Sequence, residues 1–155
     1  GIEGYSWMST AQMEYGPKVA MYTMESSVEG YRATNGELPT TKDDFWHPSV
    51  ASFSFNDNGL SGYFDFTMFA SMVHYSVRPT EGTYKIFYTG FDGESTQDDM
   101  KHEAGSNPVP EMREALSQSW LILDSYVNAL CDAIQAKCDH LREGKPVAAS
   151  SVPAQ

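Results

Sequence analysis

Four histidines, two cysteines and one acidic loop are the residues of this 155-residue chain whose types and spacing could carry chemistry. His47, His74, His102 and His140 stand in four separate segments, and none has a zinc-binding spacing such as His-Glu-x-x-His. His74 falls in a run of strand period and reads as a packed or hydrogen-bonded sheet residue, while the other three read as exposed. Cys131 and Cys138 share one face of a helical pattern, about 10.5 Å apart along its axis, too far for one metal without help from elsewhere. A disulfide needs Cα atoms within about 7 Å, so an unbroken helix keeps both thiols free. The loop Asp92-Gly93-Glu94-Ser95-Thr96-Gln97-Asp98-Asp99 presents hard oxygen ligands, with Asp92, Glu94, Asp98 and Asp99 as calcium candidates. It lacks the EF-hand order of a sixth-position Gly and a twelfth-position Glu, and we read it first as a solvated acidic loop. No Gly-x-Ser-x-Gly, phosphate-binding loop or dinucleotide fingerprint occurs, so no catalytic residue and no cofactor is assigned.

Composition bounds what these residues can serve. Ten Lys+Arg against 21 Asp+Glu give a formal net charge of -11, which argues against a phosphate-neutralising surface for DNA or RNA. The length suits one domain with a real core. No stretch approaches the roughly 18 consecutive apolar residues of a membrane span. The chain opens on Gly1-Ile2-Glu3-Gly4 without an initiator Met, which reads as a processed or trimmed N-terminus and leaves room for a removed leader or anchor. An aromatic content of 13% favours a sheet, since flat rings suit pleated, half-buried surfaces.

The elements that must position these residues follow from periodicity. Met13, Val19, Met21, Met24, Val28 and Tyr31 recur at three- and four-residue steps and predict a long first helix over 9–34. Gly16-Pro17 either starts that helix or kinks it. Asn35-Gly36 and Pro39 stop it. The loop from Thr40 to Pro48 is pinned by Phe45 and Trp46. From there the period is two: a hairpin turns at Asn56-Asp57-Asn58-Gly59, and a second strand pair, Met72–Val77 and Thr83–Phe91, follows. Together these predict a four-stranded antiparallel sheet within 50–91. The segment 92–110 reads as a long acidic surface loop. Leu116, Trp120, Leu123, Val127, Leu130, Ile134 and Leu141 then form one stripe of a second helix over 111–142, ended by Gly144-Lys145-Pro146. The expected architecture is α+β, a single domain over 1–146 with a flexible tail over 147–155.

The run Ser27-Val28-Glu29-Gly30-Tyr31-Arg32-Ala33-Thr34-Asn35-Gly36-Glu37-Leu38-Pro39-Thr40 resembles the end of the long first helix in type IV pilins and type II secretion pseudopilins. Val50-Ala51-Ser52-Phe53-Ser54-Phe55, followed by Asn58-Gly59-Leu60 and an alternating strand, looks like the first hairpin of the pilin sheet. The likeness covers about Ser9 to Gly90. The apolar N-terminal segment that anchors and packs such subunits is not in this chain, and the family's closing strands and C-terminal cysteine pair give way to a helical pattern. The resemblance would favour a bridge between Cys131 and Cys138, with the helix ending near Leu130 and the chain turning through Asp132 to Lys137, and calcium in the loop after the sheet.

What the resemblance implies is a structural, non-enzymatic pilus or pseudopilus subunit at the cell surface, outside the cell or in the periplasm. It would associate with copies of itself through the N-terminal helix and with other pilin-like subunits, and reach the membrane only through the missing segment. The alternative is an extracellular α+β module that binds a ligand or partner through its aromatic sheet; a small enzyme ranks last.

Overall fold

The computed structural model describes residues 2–57, 59–90, 100–119 and 122–144. It is an α+β fold built around its first helix, α1 (Ile2–Asn35), which continues through Pro17 rather than starting there. From Tyr15 to Gly30 nearly every position of α1 is buried. Small and apolar residues occupy all of its faces between Val19 and Val28, so the helix can be walled in on several sides at once. The hydroxyls of Thr23, Ser26 and Ser27 donate to the carbonyls of Ala20, Tyr22 and Thr23 at 2.7, 2.9 and 3.0 Å, which satisfies them inside the helix. The end is the one the sequence predicts: Gly36 takes φ +76° and its N–H donates to the Arg32 carbonyl at 2.8 Å.

The connecting loop is held as expected. Trp46 is buried, Phe45 meets the Tyr75 ring edge-on at 4.9 Å, and the Tyr75 hydroxyl donates to the Pro39 carbonyl at 2.7 Å. Strands β1 (Ser52–Asp57) and β2 (Leu60–Asp65) form the first hairpin, with Phe53 opposite Phe64. Strands β3 (Val73–Arg78) and β4 (Thr83–Tyr88) form the second, with Tyr75 opposite Ile86, and a short β5 (Met100–Lys101) adds to the edge of β4.

The expected single four-stranded sheet is therefore two sheets, one of two strands and one of three. The cause lies in Phe66 to Ser71. Asp65 Oδ1 accepts the Thr67 N–H at 2.8 Å and starts a one-turn helix, α2 (Thr67–Ala70), which buries Phe69 and Ala70 behind a buried Phe66. α2 packs on α1 at Gly16, where a Cβ would stand 2.5 Å from the Phe69 ring. That detour leaves the first hairpin against the C-terminal helix and the second against α1.

The expected helix over 111–142 is also divided, into α3 (Val109–Ser117) and α4 (Asp124–Arg142). Ser117-Gln118-Ser119 interrupts the pattern with residues of modest helix propensity, and Leu123, placed on the buried stripe by periodicity, is 70% exposed in the turn. Trp120 lies outside the described residues. Folding back brings Arg113 to Asn128 and Asp132, both at 2.7 Å, contacts that a straight helix cannot make. Asn107 Oδ1 accepts the Val109 N–H at 2.9 Å, so α3 begins earlier than the expected Glu111. α4 lies beside α1 and runs in the same direction, with Gln135 at Tyr22 and Gly144 at Thr34. Lys137 ties it to the first hairpin, donating to the Ser52 carbonyl at 2.6 Å and lying over the Phe53 ring.

Candidate functional site

A charge in the middle of an all-round buried helix must find its partners inside the protein, because transfer from water without them is costly. Glu25 is 3% exposed, and three elements converge on it. Its Oε1 accepts from Arg142 Nη2 in the last turn of α4 at 2.7 Å, and its Oε2 accepts from the Gly105 N–H at 2.9 Å. His102 Nε2 stands 3.3 Å from Oε1, close enough to act as a charge partner but off the angle of a hydrogen bond. Burial alone would raise the Glu25 carboxyl; His102, the Gly105 N–H and Arg142 together outweigh it and hold the pKa at about 2. Burial likewise disfavours the Arg142 cation, yet the carboxylate beside it raises its pKa.

Each partner has its own support. The His102 backbone N–H donates to the Ile86 carbonyl at 2.9 Å, fixing the segment after β5 to the sheet, and His102 Nδ1 faces the Ser106 hydroxyl at 3.4 Å. The Arg142 guanidinium lies 5.3 Å from the centre of the Tyr22 ring, whose hydroxyl accepts from Gln135. Between α1 and the segment 100–111 runs an open cleft of about 350 Å³, walled by Lys18, Met21, Lys101, His102, Ser106 and Glu111 among others. Lys18 and Glu111 face each other across 3.4 Å at its exposed rim, a pair worth little in water.

The residues singled out from sequence fall elsewhere. Asp92, Glu94, Asp98 and Asp99 lie outside the described residues. Among the described residues no group of three His, Cys, Asp or Glu side chains could hold a metal ion. Cys131 and Cys138 both sit in α4 as buried free thiols, and desolvation pushes them up to about 11 and 12. His74 is the sheet residue expected, 3.1 Å from the Thr89 hydroxyl and stacked on Phe87. His47 is exposed and caps a short 3-10 turn by accepting the Ser49 N–H. His140 is half-buried. His102 corrects the reading outright: its side chain is 5% exposed, although its segment reads as surface loop.

Glu25 and Arg142 carry no motif, because 117 residues separate them and only the parallel packing of α1 and α4 joins them. The one signal available is an acidic residue set beside Met24 in a run of small and apolar residues, Val19 to Val28, that holds no other charge. No family model, curated protein or solved structure matches the chain.

Proposed function

We propose that this chain is a structural subunit of a pilus- or pseudopilus-like filament, located at the cell surface, outside the cell or in the periplasm, with α1 as its spine. The observation that carries this reading is the helix itself. At 34 residues it is about 51 Å long, and from Tyr15 to Gly30 it is walled in by the rest of the fold. Met13 and Glu14, immediately before that stretch, are exposed. A helix of this length suits assembly along its own axis, with copies of this chain and other pilin-like subunits as partners. The reading rests on the helix, its Asn35-Gly36 stop and the first hairpin; it draws nothing from the last third, where α3 and α4 stand in place of closing strands. The role calls for no cofactor, and calcium, if bound, would come to the loop bearing Asp92, Glu94, Asp98 and Asp99.

The cleft of about 350 Å³ favours a second reading, an α+β module that binds a ligand or partner, since its volume is within the range of small-molecule sites. Immunogold electron microscopy of the source cells with antibody against this domain separates the two. Gold along filaments is the expected result; gold that never follows a filament contradicts the subunit and leaves the binding module.

A further inference from the structure

The cluster around Glu25 does more than neutralise a buried charge. Ser106 Oγ is 3.4 Å from His102 Nδ1, and His102 Nε2 is 3.3 Å from Glu25 Oε1. A hydroxyl, an imidazole and a carboxylate thus stand in sequence, from the wall of the cleft, which Ser106 and His102 line, to the interior of α1. The carboxylate stands beside Nε2 off the angle of a hydrogen bond and acts on the ring as a nearby negative charge, while the hydroxyl beside Nδ1 can donate to it. Arg142 and the Gly105 N–H hold the carboxylate in place and ionised, so it stays a fixed negative charge behind the ring. Contacts of this length are ordinary for such a set without substrate, since they tighten when the reacting group arrives.

We propose that Ser106 is an activated nucleophile in this cleft, with His102 as its base and Glu25 as a positioning residue, and that it cleaves short carboxylic esters. Ser106 Oγ attacks the ester carbonyl carbon while its proton passes to His102 Nδ1. The tetrahedral adduct collapses with cleavage of the bond to the alcohol oxygen, which takes the proton from Nδ1 and leaves as the alcohol. Water then attacks the acyl group, gives its proton to Nδ1, and the acyl–Oγ bond breaks with return of that proton to Ser106. One ester and one water become one acid and one alcohol. The imidazolium of each step faces Glu25, and Lys101 on the same cleft supplies positive potential for the oxyanion. The cleft's volume sets the size class, and Met21 and Pro108 offer it apolar wall.

The test uses the intact chain with a fluorophosphonate probe, whose phosphorus forms a bond to the serine oxygen as fluoride leaves, and with p-nitrophenyl acetate as substrate. One probe per chain, mapped to Ser106 by peptide mass, with turnover lost in Ser106→Ala and slowed at least about 100-fold in His102→Gln, is the expected outcome. No labelling, labelling at another residue, or turnover that survives Ser106→Ala overturns the proposal. Ser106 is only half-buried, so its alanine variant decides the matter even if His102→Gln does not fold. Filament labelling is independent of this outcome, since Ser106→Ala leaves α1 untouched.

Discussion

Glu25 shows how a single buried side chain can couple stability to pH. Its pKa of about 2 in the fold lies below the unfolded value of 4.5, so the folded state gains from its ionised form above about pH 4.5. That gain disappears as pH falls through 4.5 towards 2. The gap corresponds to about 3 kcal/mol at neutral pH, at about 1.4 kcal/mol per unit. Glu25→Gln should therefore unfold at lower denaturant at pH 7, by about 3 kcal/mol, because Arg142 and the Gly105 N–H lose their anion. The deficit relative to the parent chain should shrink when urea titrations are repeated at pH 4 and pH 2.5; a constant deficit would mean the carboxylate is not what its partners require. The thiols give a second prediction of the same kind. With Cys131 and Cys138 buried and their pKa values raised, iodoacetamide without reductant should modify neither in the folded protein and both after denaturation, as read by intact mass. Absence of modification after denaturation, with two thiols appearing only on reduction, would establish a bridge instead.

The helix stop and the two hairpins are legible in the sequence because their causes are local. Gly36 supplies a positive φ, Gly59 another at +82°, and alternation sets the strand faces. The failures share a different cause. Phe66 to Ala70 and Leu116 to Val127 carry apolar residues that continue the neighbouring pattern, so the split of the sheet and the break between α3 and α4 leave its phase nearly intact. What decides them is tertiary: a ring seated over Gly16, and an Arg113 shared by two turns of α4. The same holds where α1 and α4 come closest. At Gly30 an added Cβ would collide with the Leu141 carbonyl, a backbone atom that cannot swing aside. Gly30→Ala should then destabilise the domain by about 1–3 kcal/mol despite alanine's better helix propensity, measured as a fall in the thermal midpoint. An unchanged or raised midpoint would show that α4 is not packed this closely.

The parts that meet at Glu25 join the whole chain. The first helix, the sheet edge and the last helix close on one another, and on α1 just before the buried stretch Met13 is 55% exposed. A body with a net charge of -11 repels its copies at long range, so the proposed assembly along α1 would rest on short-range contact, for which Met13 is an exposed position on that helix. Met13→Cys places the one accessible thiol of the chain there, since both native cysteines are buried. The most direct measurement is the rate of maleimide labelling of that cysteine in filaments isolated from the source cells and in the dispersed subunit. If α1 packs between subunits, labelling in the filament is slowed at least tenfold relative to the dispersed chain; equal rates in the two states would contradict assembly through this helix.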